Sequence, residues 1–178
     1  MYNTIIVNLF AGPGCGKSTG ANKICYELKS RGIDCEVVTE VAKDFVWENN
    51  LEALSDQLYV FGEQCHRVNR LLGKVQVIVT DSPSILSVIY NKDKKIDKNL
   101  FNKFALSYYN NYNNINYLLT RIKPYNPNGR LQSKTQAMIL DVQIKELLDN
   151  NFLEYRQVEG SEEGYNQIVE DVIKIINN

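Results

Sequence analysis

The chain is poor in histidine, tryptophan, proline and cysteine, and each scarcity removes a kind of chemistry. His66 is the only histidine, with no serine, cysteine or metal-ligand arrangement near it in sequence, so it reads as incidental rather than catalytic. Cys15, Cys25, Cys35 and Cys65 lack CxxC spacing, which removes a zinc ribbon and a dithiol redox motif and fits reduced thiols in a cytoplasmic protein. There is no long apolar run. The first ten residues, MYNTIIVNLF, read as a strand rather than a signal peptide, so no membrane association is expected. Charge of one sign is also missing. A net charge of -1 and a pI near 5.9 give no global basic field to draw nucleic acid or an anionic surface. Internal repeats, coiled-coil heptads and flexible interdomain linkers are absent. The asparagine-rich YNNYNNINY is broken by tyrosine and isoleucine, and reads as a helix end and loop feeding a strand.

What is present begins with IIVNLFAGPGCGKST, Ile5–Thr19: an apolar strand that runs straight into a glycine loop. Gly12, Gly14 and Gly16 let the backbone turn tightly and gather N–H groups into an anion nest. Lys17 can reach β- and γ-phosphates, the Ser18 hydroxyl can ligate Mg²⁺, and the next helix presents its positive end. Gly12, Pro13, Gly14, Cys15, Gly16, Lys17, Ser18 and Thr19 are therefore the candidate nucleotide-binding residues. Ala11 stands where the strict pattern has glycine, a change that excludes only a left-handed backbone. Cys15 is a small residue in this loop, where thiol reagents are expected to reach it.

Strands and helices then alternate. Lys17–Ser30 keeps Ala21, Ile24, Cys25 and Leu28 at helical spacing, and Gly32 closes that helix. Further strands are expected over Asp34–Thr39, Val75–Thr80, Ile115–Thr120 and Phe152–Val158. Helices are expected over Glu40–Glu48, Ser55–Leu72, Asp97–Tyr109, Thr135–Leu148 and Ser161–Ile176. Ser55 is the expected N-cap of its helix, with Leu58, Phe61, Cys65, Val68 and Leu72 along one side. The alternation implies right-handed crossovers, a parallel sheet of about five strands and helices on both faces. The expected fold is a three-layer α/β nucleotide-binding domain spanning residues 1–178.

Several residues are placed to carry chemistry. Asp81 follows the VIVT strand, at the carboxyl edge of the sheet beside the glycine loop, where it can hold Mg²⁺ through water or orient a phosphate acceptor; helix capping is the bland alternative. Glu40 holds the matching edge position after CEVVT and can accept the proton of an attacking hydroxyl, with capping again the alternative. Lys43 lies close by. Gln64 and Arg67, three residues apart on one helix, can grip a polar acceptor, with Arg70 a further turn along. The segment RIKPYNPNGRLQSK carries Arg121, Lys123, Arg130 and Lys134 among Pro127 and Gly129. It reads as a short lid, about 121–134, whose cations close over a transferred phosphoryl group; Tyr125 can stack on a base or pack on the lid helix.

Taken together, NLFAGPGCGKST, ELKSRGIDCEVVTEVAKD, FGEQCHRVNRLLGKVQVIVTDSP and YNPNGRLQSKTQA resemble the P-loop AAA-type ATPase/kinase family related to the nicotinamide riboside kinase domain of bacterial NAD-regulator proteins, including its small phage and bacterial members. The resemblance covers most of Ile5–Leu148. It implies that Gly12–Thr19 bind ATP phosphates and Mg²⁺, that Asp81 is the acidic partner, that Glu40 serves the acceptor side and that Arg130 belongs to the lid. The catalytic set expected is Lys17, Glu40, Asp81, Arg121 and Arg130, with Ser18 and Asp81 at the metal and Glu40, Gln64 and Arg67 at the acceptor. The leading expectation is a kinase of a nucleoside, nucleotide or nicotinamide riboside-like compound, using ATP or GTP. The alternatives are a nucleotide-triggered switch acting on a protein partner and, third, a 5′-hydroxyl nucleic acid kinase.

Overall fold

Ile5–Phe10 is buried at every position and forms β1, the middle strand of a five-stranded sheet. The computed structural model describes residues 1–92, 94, 96–122, 124–126 and 133–177. The other strands are β2 (Cys35–Val38), β3 (Val77–Thr80), β4 (Asn113–Thr120) and β5 (Arg156–Glu159), in the order β2-β3-β1-β4-β5 with every pairing parallel. The chain steps from β1 past one vacant place to β2, and β3 fills that place. Every later crossover moves the other way. This reversal opens a crevice at the carboxyl ends of the central strands, the usual ligand position in such sheets.

The helices are α1 (Lys17–Ser30), α2 (Val41–Trp47), α3 (Leu51–Ser55), α4 (Gln57–Asn69), α5 (Ser87–Tyr90), α6 (Lys98–Tyr109), α7 (Lys134–Asn150) and α8 (Glu162–Ile176). The period-two alternation of β1 decides what each face receives. Ile5, Val7 and Leu9 point to the layer of α1 and α8, where they pack with Ile24, Leu28, Ile168 and Val172. Ile6 and Phe10 point the other way. Ile6 packs with Val68 of α4, and Phe10 with Tyr109 of α6 and Ile144 of α7. The result is the expected three-layer α/β fold with a parallel sheet, consistent with P-loop NTPase architecture.

Asn8 breaks the apolar run of β1, and its surroundings explain why it is tolerated. Its Nδ2 donates to Asn114 Oδ1 at 2.9 Å and to Asn116 Oδ1 at 3.1 Å, and Tyr109 Oη donates to the same Asn116 oxygen at 2.5 Å. Asn116 then donates to Glu154 O across 2.9 Å. A register slip would leave these buried amides without partners, so the network fixes β1 against β4. Asparagines that read from sequence as loop therefore lie in a strand, which starts at Asn113.

The structure corrects other expectations. Ser55 ends α3 instead of capping the next helix; Asp56 is the cap, accepting from Tyr59 N at 3.0 Å. Asn50 caps α3 by accepting from Ala53 N, so a short helix precedes the expected one, which starts at Gln57 and ends at Asn69. Leu58 is half exposed while Val60, Phe61, Gln64, Cys65 and Val68 are buried, which rotates the inward face from the one expected. A 3₁₀ turn at Ser84–Leu86 and α5 occupy a stretch where the sequence pattern predicts no element. At the far end β5 is shorter than expected, because Phe152 has φ 53° and turns the chain before the strand starts. Among the described residues no helix is long and apolar enough to cross a membrane.

Removing the Asn8 amide tests the register network. Asn8→Ala takes the donor from two buried carbonyl oxygens, and urea denaturation is expected to show a loss of about 1–3 kcal/mol.

Candidate functional site

The loop from Ala11 to Ser18 leaves β1 and enters α1 through Gly16, the helix N-cap. Gly16 has φ 91° and caps with no side chain, so the first N–H groups of α1 are left to whatever lies in front of them. Two constraints require glycine there: the left-handed backbone, and the hydroxyl of Tyr165, which occupies the space a Cβ would take. Tyr165 Oη donates to Gly16 O at 3.0 Å, so α8 holds the loop where it becomes helix. Lys17 folds back along the loop, its Nζ donating to Ala11 O at 2.7 Å and Gly12 O at 3.2 Å.

A further clamp comes from α7. Gly12 N donates to Asp141 Oδ1 at 2.7 Å, and a Cβ on Gly12 would collide with that oxygen and with Ala137 O. Arg121, at the end of β4, gives Nε and Nη2 to Asp141 Oδ2 at 3.1 and 2.8 Å and gives Nη1 to Pro13 O at 2.9 Å. Its guanidinium also lies 5.9 Å from the Tyr125 ring centroid. The Gly12 N–H is thus used within the protein, and the donors free for an anion start later in the loop.

Cys15 is buried, against the expectation that reagents would reach it. Its Sγ lies 3.5 Å from Asp141 Oδ1. Burial first, and then the Asp141 charge, push its thiol up to about 11 despite the pull of Arg121 and Lys17.

The two edge carboxylates are not caps. Asp81 is 2% exposed, follows β3 directly, and its Oδ1 has no hydrogen-bond partner among the described residues; the turn after it is capped at Pro83. Glu40 stands at the N-cap of α2 without its side chain capping anything. Burial raises the Glu40 carboxyl above the ordinary glutamate range; Asp81 and Asp44 raise it further, while Lys17 and Lys43 pull it down. Lys17 and Asp81 therefore both act on the Glu40 carboxyl at the mouth of the crevice.

A cleft of about 970 Å³ joins the loop to Glu40, and Asp81 is buried just behind its Ser82–Ser84 wall. Its floor includes Gly14, Gly16, Lys17, Ser18 and Thr19, and its walls include Glu40, Lys43, Trp47, Gln57 and Tyr90. That volume is at the upper end for small-molecule pockets and leaves room beyond an anion on the loop. Trp47, the one tryptophan of the chain, is 65% exposed at its rim. Burial and the Glu40 charge push the Tyr90 phenol up, so it stays a hydrogen-bond donor.

Other sequence-derived candidates are placed differently. Gln64 lines the cleft, but its amide is spent on the backbone of the β2–α2 turn, with Oε1 accepting from Val41 N at 3.0 Å and Nε2 donating to Thr39 O at 3.3 Å. It holds Glu40 in place from behind. Arg67 pairs with Asp44 at 2.8 Å and Glu63 at 3.2 Å and is not among the described residues lining the cleft. His66 is exposed on α4. Lys123, Pro127, Gly129 and Arg130 lie outside the described residues, and Lys134 opens α7 behind a Ser133–Gln136 capping box. Sequence reasoning missed Asp141 and Tyr165. Both sit on ordinary amphipathic helices more than a hundred residues from the loop they hold, and no local pattern marks them.

Across 97% of this chain and 98% of the other, the fold is similar to a solved structure of deoxyadenosine kinase from M. mycoides with products dCMP and a flexible dCDP bound, at a TM-score of 0.56 and 18% sequence identity. No family model matches the chain, and no curated protein matches it in sequence. The likeness is one of fold: this chain and that structure share a parallel-sheet α/β architecture.

Two measurements check these environments. At pH 8 a thiol with a pKa of about 11 is ionised in about one molecule in a thousand. Cys15 should therefore resist iodoacetamide in the native protein and label readily in urea, read by peptide mass spectrometry. Folding favours protonated Glu40, so its stabilising contribution is complete below the ordinary glutamate range and is lost as pH rises through its raised value. Glu40→Gln should raise Tm at pH 8, and the gap should close as pH falls toward about 4.

Proposed function

We propose that this chain is a phosphotransferase that moves the γ-phosphoryl group of ATP or GTP to a hydroxyl of a small acceptor of nucleoside or nucleotide type. One observation carries the reading: the cleft that contains the glycine loop continues past Glu40 to an amphipathic chamber bounded by Trp47, Gln57 and Tyr90. A site for hydrolysis alone needs only the loop. The fold likeness to a deoxynucleoside kinase supports the same class of acceptor.

In this reading the N–H groups after Gly12 and the start of α1 hold the phosphates, and Lys17 leaves its carbonyl partners to take γ-phosphate charge. Ser18 and Asp81 would hold Mg²⁺. The unpartnered, buried Asp81 oxygen fits that task, and a magnesium site completed by phosphates and water needs few protein ligands. Magnesium, when bound, neutralises charge on the β- and γ-oxygens. Glu40 orients the acceptor hydroxyl and accepts its proton, and burial makes its carboxylate a stronger base than an ordinary glutamate. Tyr90 donates to a polar group of the acceptor, and Gln64 keeps Glu40 aimed. The segment 121–134 acts as the lid, with Arg130 its inward cation, and Lys43 faces the acceptor from the cleft wall.

A second reading has its own observation. Met138, Ile139 and Val142 of α7 are all more than half exposed, an apolar surface beside the lid segment. A nucleotide-driven switch would show its partner such a face.

Transfer from γ-labelled ATP with Mg²⁺ decides between them. The acceptors are pooled ribonucleosides, deoxynucleosides, nucleoside monophosphates, nicotinamide riboside and 5′-hydroxyl oligonucleotides. Label is expected in one small-molecule pool, reduced at least about a hundredfold by Lys17→Ala and Asp81→Asn. Glu40→Gln should lower kcat by about 10²–10⁴ and remove the acid limb of the pH profile, since the wild-type rate rises as Glu40 deprotonates. Label released only as phosphate would favour the switch; label on oligonucleotides would favour the nucleic acid kinase.

A further inference from the structure

The glycine loop is held from behind by charge, and that charge comes from α7. Asp141 divides its two oxygens: Oδ1 accepts from Gly12 N and faces the Cys15 thiol, while Oδ2 takes two donors of Arg121. Arg121 passes the restraint on to Pro13 O. In a trans peptide the carbonyl and the following N–H point in opposite directions. The guanidinium that fixes the Pro13 carbonyl therefore also fixes where Gly14 N–H points. Arg121 and Asp141 side chains are only 16% and 31% exposed, so their interaction is less screened than at a surface pair.

This arrangement puts a carboxylate beside a loop built to attract an anion. Arg121 is what makes that tolerable, because it neutralises Asp141 as well as tying the loop. We infer that Asp141 is a positioning residue for the nucleoside triphosphate, and that the Arg121–Asp141 pair couples the shape and charge of the glycine loop to α7. The inference rests on the proposed use of the loop for triphosphate. Arg121 then serves as an anchor of the loop rather than as a cation that meets the transferred phosphoryl group. Any displacement of α7 moves the partner of Gly12 and Arg121 together, so donor affinity depends on the position of a helix that lies outside the phosphate nest.

The charge argument makes a prediction that packing alone does not. Arg121→Gln leaves an unpaired carboxylate next to the triphosphate, whereas Arg121→Gln with Asp141→Asn leaves none. MgATP affinity, measured by calorimetry, should fall at least tenfold in Arg121→Gln and recover at least threefold in the double variant. The KM for the acceptor should stay within twofold of wild type in both. A double variant as weak as the product of the two single changes, or weaker, would overturn the inference.

Cys15 gives a readout that needs no nucleotide. Asp141→Ala should raise its iodoacetamide labelling at least tenfold, with circular dichroism confirming a folded chain. Labelling within twofold of wild type would overturn the brace. Faster labelling in a protein whose wild type binds no triphosphate would keep the brace and reject the phosphate-donor reading, so the two failures are distinguishable.

Discussion

A loop that offers backbone N–H groups to an anion has no side chains of its own to hold its shape. Every bend that aims a donor forward leaves a carbonyl facing backward, and glycine makes such bends easy to lose as well as to form. The loop must be held from outside, and here the restraints come from three directions. Tyr165 of α8 fixes the carbonyl of Gly16, Asp141 of α7 fixes the N–H of Gly12, and Arg121 at the end of β4 fixes the carbonyl of Pro13. Lys17 completes the set from within by binding the Ala11 carbonyl.

The sheet order makes those restraints possible. With β1 in the centre and β4 directly beside it, the end of β4 delivers Arg121 next to the loop, and the two helices that follow β4 and β5 return on opposite faces. The same order sets Glu40 and Asp81 on the other flank, at the ends of β2 and β3. One register error between β1 and β4 would displace Arg121 from Pro13, which gives the buried Asn8, Asn114, Asn116 and Tyr109 network a consequence for the site as well as for stability. The carboxylates show the opposing demand. Asp81 keeps a buried oxygen without a partner among the described residues and Glu40 carries a charge that folding disfavours, costs that other contacts must offset.

Local signals make much of this legible in the sequence. The α1 span is readable to the residue, because apolar spacing, a glycine loop before it and Gly32 after it all agree. The central strands β1 and β3 are readable because parallel strands covered on both faces are nearly all apolar, whereas the polar starts of β4 and β5 blur their bounds. The features that escape share one cause, dependence on tertiary partners. Ser55 and Asp56 are both good caps, and only packing chooses between them. Cys15 reads as reachable because sequence does not show that Asp141 and Gly160 close over it. Asp141 and Tyr165 themselves carry no mark in a one-dimensional pattern. Gln64 reads from its helix position as an acceptor contact, and its amide instead holds the turn that presents Glu40.

The account stands on the claim that donor phosphate and acceptor share one cleft, end to end. The most direct test is binding of two-headed ligands, two nucleosides joined by four or five phosphates, followed through the fluorescence of Trp47, the chain's one tryptophan. The account predicts that one member of a base series binds at least tenfold more tightly than ATP, changes Trp47 emission where ATP alone does not, and loses both effects in Lys17→Ala. Two-headed ligands that bind no better than ATP and leave Trp47 unchanged would contradict it.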